Sequence, residues 1–302
     1  MKDFFEKLVT AAGADRVLKD ELMSKHTTFR VGGPARYFVS PSDEEALKNT
    51  FLLCKDQKIP CFILGNGSNL LVSDAGYEGV MISMGEGFKT VEVRGNTITA
   101  GAGALLSVIA KEALLKSLTG FEFAAGIPGT LGGAVVMNAG AYDGEIKQVL
   151  KSVRVMDEAG EVSELSADEL ELSYRHSCIP ARRLTVLSGV LELTKGVQEE
   201  IKSRMEDLAA RRRNKQPLEF PSAGSTFKRP EGHFAGKLIQ DAGLKGFRVG
   251  GAEVSEKHSG FVINRDKATA SDIRELCRVV QEKVKSDSGA TLETEIKMIG
   301  FE

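Results

Sequence analysis

The sequence predicts an α+β protein with more than one domain, on three observations. Strand-like and helix-like segments mix irregularly, without the steady strand–helix–strand period of a doubly wound parallel sheet. The chain has 302 residues, more than a single hydrophobic core usually organises. Near residue 198 the composition changes: a helix ending in Arg211-Arg212-Arg213 gives way to NKQPLEFPSAG, rich in Pro, Asn and Ser, so a boundary is expected at about 198.

Taken in order, residues 42–56 (SDEEALKNTFLLCKD) open on the capping-box pair Ser42 and Glu45 and continue with apolar positions at helical spacing. CFILG (61–65) is a short apolar run ending in glycine and reads as a buried strand, as does GVMISM after it. TVEVRGNTITAGAG alternates on either side of Arg94-Gly95-Asn96, which is a hairpin pattern. The helix LLSVIAKEALLK then leads into the longest glycine-rich stretch, 124–144. KSVRVMDEAGEVSEL is a second hairpin turning between Asp157 and Gly160, and LTVLSGVLEL is a further strand. A helix near 197–212 closes this half. Beyond it come a helix near 234–242, strands around 248–264, a helix near 270–286 and a last strand, TLETEIKMIG. The stripes Ile201, Met205, Leu208 and Ile273, Leu276, Val280 have helical spacing and read as core faces.

Composition excludes several classes. Hydrophobic residues at 42% and charged residues at 27% fit a globular chain, and a net charge of -2 leaves no electrostatic footprint for nucleic acid. The N-terminus MKDFFEKLVTAAGAD carries charges inside its apolar stretch, unlike a signal peptide. No run approaches the roughly 18 apolar residues of a membrane span, so a cytoplasmic protein without a membrane partner is expected. Cys54, Cys61, Cys178 and Cys277 show no CxxC spacing and have few histidines nearby, so reduced, buried thiols and no metal site are expected. Glycine stands out, with 32 residues where average usage gives roughly 21. The excess is concentrated in short loops, which suits close backbone approach to a ligand.

ITAGAGALL (98–106) imitates a dinucleotide fingerprint, but Leu106 stands where the third glycine belongs and the only acid at a suitable distance is Glu122. Two other stretches are more informative. GNGSNLLVSD (65–74) places Gly65, Asn66, Gly67, Ser68 and Asn69 directly after a strand, and AAGIPGTLGGAVVMNAGAYDGE (124–145) does the same over a longer span. Such loops expose backbone N–H groups that an anion can occupy. Two of them in one chain suit a diphosphate with organic groups at both ends, although tight connections alone would also use these residues. Neither matches GxxxxGK[ST], which excludes a P-loop NTPase.

With TTFRVGGPA (27–35), YRHS (174–177), PSAGSTFKRP (221–230), AGKLIQDAGLKG (235–246), VSEKHSGFVIN (254–264) and LETEIKMIG added, the chain resembles the UDP-N-acetylenolpyruvoylglucosamine reductases nearly end to end. These are flavoenzymes of bacterial cell-wall precursor synthesis. The resemblance implies a two-subdomain FAD-binding fold of the vanillyl-alcohol-oxidase (PCMH) type, at 1–88 and 89–197. A C-terminal α+β substrate domain would follow at 198–302, its last strand near 291–299. It also implies non-covalent FAD, NADPH as co-substrate, and hydride transfer to the enolpyruvyl double bond of UDP-N-acetylglucosamine enolpyruvate. By the same likeness Gly65, Asn66, Gly67, Ser68 and Asn69 cradle the FAD pyrophosphate together with Gly126, Pro128, Gly129, Gly132, Gly133, Asn138, Ala139 and Gly140, while Arg30 of TFRVGG supports the flavin. One subtype of the family carries an extra loop with a substrate-clamping tyrosine. Here only 35 residues separate Arg175 from Arg211, already filled by a strand and a helix, so the chain resembles the shorter subtype.

Hydride added to an enol ether conjugated to a carboxylate leaves an enolate-like charge on the carboxyl side, and one proton must then reach the neighbouring carbon. Arg175 of YRHS matches the family's cationic stabiliser, and charge-assisted contacts to carboxylates are the strong ones. Read alone, an arginine after a tyrosine is an ordinary surface residue. Glu295 alternates with Leu292, Thr294 and Ile296, so the pattern alone turns it to solvent. The family motif makes it the functional acid, next to an enolate that would favour its protonated form, and leaves Glu293 solvated. Ser225 lies in Ala223-Gly224-Ser225-Thr226-Phe227, which is no hydrolase elbow, and the resemblance makes it the proton donor. Lys215, Arg229, Lys245 and His258 match substrate-contacting positions, each otherwise readable as a surface polar residue. Two other readings stay open on sequence: an oxidase of the same FAD fold, and a non-enzymatic UDP-sugar or flavin-binding module. The small-molecule substrate is the expected partner and a monomer the expected state.

Overall fold

In the computed structural model, residues 3–301 are described. They form two compact units. One takes the chain up to Lys19, then Tyr37–Asn66 and Gly79–Arg211; the other takes Asp20–Arg36, Gly67–Glu78 and the chain from Arg212 onward. Each has its own apolar core, around Leu47, Val80, Ile109, Leu131 and Val153 in the first and around Phe29, Leu71, Ile239, Leu276 and Ile296 in the second.

The chain opens with α1 (Phe4–Ala12), β1 (Val17–Leu22), β2 (Pro34–Val39) and α2 (Glu44–Asp56). The cap of α2 sits one residue beyond the expected Ser42: the Ala46 N–H donates to the Asp43 carboxylate at 2.9 Å, and Ser42 donates its hydroxyl to Asp43 as well. A full negative charge competes better than a hydroxyl for the positive end of a helix. Next come β3 (Cys61–Leu64), β4 (Leu70–Val72) and β5 (Tyr77–Ser83), with β3 parallel to β5 and Cys61 opposite Val80. Contrary to the sequence reading, β3 is a sheet edge rather than a buried strand; Leu64 is buried while Cys61 is exposed. The expected hairpin is β6 (Val91–Arg94) and β7 (Thr97–Gly101), followed by α3 (Leu106–Leu115) and β8 (Leu118–Thr119).

The second glycine stretch contains α4 (Leu131–Val136), β9 (Gly140–Ala141) and β10 (Gly144–Glu145). The second expected hairpin is β11 (Leu150–Met156) and β12 (Val162–Ser166), and β13 (Thr185–Glu192) completes an antiparallel sheet in the order β12-β11-β13-β7-β6. After β14 (Thr194–Lys195), α5 (Gln198–Lys215) runs past its expected end at 212. It starts where the boundary was expected, yet stays with the first unit as far as Arg211. Ile201 is buried and Met205 packs on the first core. Gln198 Nε2 and Lys195 Nζ also donate to the carbonyls of Leu114 and Lys116, at 3.0 and 3.1 Å.

The second unit adds α6 (Ala235–Asp241) and the antiparallel strands β15 (Arg248–Val249), β16 (Ala252–Val254) and β17 (Val262–Asn264). It ends with α7 (Ala270–Ser288) and β18 (Lys297–Ile299). The last strand is shorter than expected, because 291–296 makes only the single bridge Phe227 to Thr294. Its regular part exists through β4, with Lys297 parallel to Leu70 and Ile299 to Val72. The N-terminus of α7 is held by Thr269, which accepts from the Asp272 N–H, and by Asp74, which accepts from Ala270 and Ser271 at 2.7 and 2.9 Å. Among the described residues no helix is long and apolar enough to cross a membrane.

Candidate active site

In the first unit, one bond ties the two glycine loops together: Asn66 Nδ2 donates to the Pro128 carbonyl at 2.8 Å. Beside it, a Cβ at Gly65 would come within 2.6 Å of Thr130 Oγ1. Thr130 is only 5% exposed, and among the described residues its hydroxyl has no hydrogen-bond partner. Buried hydroxyls are nearly always bonded, so this one is positioned for a ligand. An anion bearing oxygen acceptors fits it, and Gly65 leaves the space.

The other predicted cradle residues divide into two groups. Gly126, Pro128 and Gly133 are exposed and Gly129 half-buried, as a ligand-facing rim requires. Gly132, by contrast, packs on β7's exit: its N–H donates to Ala102 O at 2.9 Å, and a Cβ there would meet Ala102 at 2.9 Å. Gly140 faces the Gly144 carbonyl across the β9–β10 turn, and Ala139 is buried. Asn138 is fully buried, with Nδ2 donating to Glu145 and to the Ser173 carbonyl at 3.0 and 3.1 Å and Oδ1 accepting from the Lys147 N–H. Its side chain is thus spent on the protein. The fingerprint imitation at 98–106 is explained in the same way: a Cβ at Gly101 or Gly103 would come within 2.2 Å of the Phe88 or Met84 carbonyl.

Arg175 lies in a tight turn closed by reciprocal Ser173–His176 backbone bonds of 3.2 and 3.1 Å. Its φ is 54°, a left-handed conformation unusual for a side chain of this size, and its guanidinium packs 5.1 Å from the Tyr174 ring. The turn is strapped at both ends: Asn138 holds the Ser173 carbonyl, and Ser177 Oγ donates to the Val136 carbonyl at 2.6 Å. The end of α4 therefore positions the loop that carries Arg175.

In the second unit, Thr226 anchors the segment bearing Ser225. Its N–H donates to Gly260 O at 2.9 Å, its hydroxyl accepts from the Val262 N–H, and its carbonyl accepts from the Glu295 N–H at 2.8 Å. Ser225 is half-buried, and among the described residues its hydroxyl has no hydrogen-bond partner. Gly224 before it turns at φ 75° with open space around it. Glu295 is half-buried, not solvent-facing as strict alternation suggests. Glu293 points outward to Lys228 at 3.0 Å. Asn69 ties the first glycine loop to the same strand, donating to the Glu295 carbonyl at 3.2 Å and accepting from the Lys297 N–H. Gly67 at φ 61° lies against His26 O, while Ser68 is half-buried.

Residues 216–299 match the C-terminal domain of UDP-N-acetylenolpyruvoylglucosamine reductase, and residues 35–166 match an FAD binding domain. A UDP-N-acetylenolpyruvoylglucosamine reductase of Clostridium perfringens is 51% identical over 99% of this chain and 98% of its own length. The chain belongs to the UDP-N-acetylenolpyruvoylglucosamine reductase family. The crystal structure of UDP-N-acetylenolpyruvylglucosamine reductase from Thermus caldophilus superposes with a TM-score of 0.82 at 38% identity, covering 94% of this chain and 98% of that one. The grass pollen allergen Phl p 4, at 12% identity and a TM-score of 0.51 over 65% of this chain and 45% of its own, shares the fold alone. The fold is thus α+β, with the FAD-binding architecture expected from the sequence.

Of the reductase's predicted substrate contacts, His258 is the most constrained. The Gly260 N–H donates to Nδ1 at 3.1 Å, so the ring hydrogen sits on Nε2, and the ring packs edge-on to Phe261. Burial, aided by the Lys215 ammonium, holds its pKa below the usual value, so it is a neutral donor rather than a cation. Lys215 is exposed at the end of α5, and Lys245 is exposed in the turn after α6. Arg229 lies over the Phe234 ring at 3.9 Å. Arg30, exposed with φ 57°, lines a groove with Phe220, Asn264 and Lys267. Sequence reasoning missed Thr130 and Ser177, whose only sequence signal is their place inside two of the family strings.

Proposed function

We propose that Ser225, Glu295 and Arg175 carry out the chemistry of a UDP-N-acetylenolpyruvoylglucosamine reductase. The protein reduces the enolpyruvyl group of UDP-N-acetylglucosamine enolpyruvate to give UDP-N-acetylmuramate, with NADPH as co-substrate. Bound FAD supplies the hydride. On this reading Thr130 and the exposed rim of the second glycine loop hold the FAD pyrophosphate with Gly65 and Asn66, while Gly67, Ser68 and Asn69 extend the first loop and Arg30 supports the flavin. Gly132, Asn138, Ala139 and Gly140 shape the cradle from behind.

Arg175 neutralises the substrate carboxylate as charge develops on it, and its fixed turn reduces the reorganisation this requires. Glu295 hydrogen-bonds the enolate from the strand beside Ser225. Ser225 gives its proton to the carbon next to the one that accepted hydride. Its half-buried hydroxyl, which no group among the described residues engages, is the observation that carries this assignment. Lys215, Arg229, Lys245 and the neutral His258 hold the sugar nucleotide. Residues 1–88 and 89–197 serve the cofactor and 198–302 the substrate, in a monomeric cytoplasmic enzyme.

A stopped-flow experiment on the two half-reactions tests the assignment. Ser225→Ala should leave flavin bleaching by NADPH unchanged and slow its recolouring by enolpyruvyl substrate by about 10²–10⁴-fold, the usual worth of a positioned proton donor. Equal slowing of both halves would make Ser225 structural. Recolouring by oxygen but not by the enolpyruvyl substrate would favour an oxidase.

A further inference from the structure

Two cysteines that the reaction does not use share a cavity in the first unit. Cys54, in the last turn of α2, is 2% exposed, whereas Cys61 opens β3 and is exposed. The connection between them folds back, with the Ile59 N–H donating to the Cys54 carbonyl at 2.9 Å. Both side chains line a cavity of about 390 Å³, with Phe51 and Ile63 on its apolar side and Lys55, Asp157, Glu158 and Arg183 on its polar side. Arg183 pairs with Glu158 at 3.5 Å, which offsets part of the acid's charge next to the thiols.

The neighbouring Cys54 side chain lowers the pKa of Cys61 against burial and the Glu158 charge, while the Cys61 side chain together with burial raises that of Cys54. The exposed thiol is thus the reactive one, and the buried thiol lines the same cavity. The remaining cysteines differ. Cys178 donates to the Glu169 carbonyl at 3.3 Å, and Cys277 is 1% exposed with its pKa pushed up to about 12 by burial.

We propose that Cys61 and Cys54 form a dithiol site for low-molecular-weight disulfides, with Cys61 as the attacking thiol and Cys54 as the resolving thiol. The Cys61 thiolate attacks one sulfur of the disulfide RSSR, forming a mixed disulfide and releasing RS⁻. Cys54, deprotonated in turn, attacks the Cys61 sulfur, forms the Cys54–Cys61 bond and releases the second RS⁻. Two protein thiols lose two electrons and two protons, and RSSR leaves as two RSH. Only solvent-exposed Cys61 can begin the sequence.

The test uses the full-length, FAD-loaded enzyme, reduced, desalted and incubated with oxidised glutathione. Samples are quenched by alkylation, and the thiols are counted in denaturant and mapped by mass spectrometry without reduction. Two of the four thiols should disappear, as a single Cys54–Cys61 crosslink. Cys54→Ala should instead accumulate glutathione on Cys61, and Cys61→Ser should leave Cys54 unmodified. Stable glutathionylation of Cys61 in the unaltered enzyme without loss of a second thiol would overturn the proposal. So would a crosslink through Cys178 or Cys277, or reaction of Cys54 in the Cys61→Ser protein.

Discussion

The Gly260 N–H bond to His258 Nδ1 leaves that ring a single outward donor, Nε2–H, and burial keeps it uncharged. A group whose pKa is lower folded than unfolded takes up protons more readily in the unfolded chain. Acidification from about the ordinary value of 6.5 down to the folded value therefore destabilises the protein, and above that window there is no effect. His258→Gln removes this component, so the difference in Tm between the native protein and the variant should shift in the variant's favour between about pH 7.5 and pH 5.5. A difference that stays constant across that range would mean that the ring is not held neutral. At this scale much was legible in the sequence. Alternation alone marked Leu292 and Ile296 as core and Glu293 as solvated. Glu295 departs from the pattern because its N–H and carbonyl are tied to Thr226 and Asn69, which lie far away in the sequence. The orphan hydroxyl of Thr130 could not be read at all, since being unpartnered is a property of three-dimensional surroundings.

Among the elements, α7 shows how one motif serves two purposes. Asp74 closes the string GNGSNLLVSD, which reads as ligand-binding, yet its carboxylate caps a helix that begins at residue 270. Burial works against its charge, but the Ser271 hydroxyl and the two backbone donors overcome this and hold the carboxyl below its usual range. Asp74→Ala should cost about 1 kcal/mol, seen as a Tm decrease of about 2–4 °C, with the Ser225 half-reaction unaffected. No change in Tm would mean that Thr269 caps the helix alone. Hairpins and long helices were readable because their signals are local. The shift of the α2 cap to Asp43 and the shortness of β18 were not, because each depends on competition or pairing that periodicity does not record. The expectation of uniformly buried thiols failed for the same reason: Cys61 is exposed because β3 lies at the sheet edge.

For the whole molecule, cofactor and fold are coupled by mass action. FAD at about 100 times its Kd should raise stability by about 2.7 kcal/mol. Thr130→Val, nearly the same shape without the hydroxyl, should keep the apo Tm and weaken FAD binding by about tenfold or more, the worth of a hydrogen bond to a charged group. Fluorescence titration of the apoprotein with FAD measures this directly, and an unchanged Kd would remove Thr130 from the cradle. The expected boundary at 198 follows composition and the one at 88 follows the family resemblance, whereas the cores follow packing: the chain changes unit after Lys19, Arg36, Asn66, Glu78 and Arg211. Segments as short as 20–36 and 67–78 carry no compositional mark of their destination. This interleaving also bears on inheritance. Phe29, Val31 and Leu71 complete a core whose other members lie beyond Arg212. A single recombination point anywhere between Leu71 and Arg212 would bring that core together from two parents. Gene exchange with diverged relatives should therefore preserve this protein only where both ends of the gene travel together.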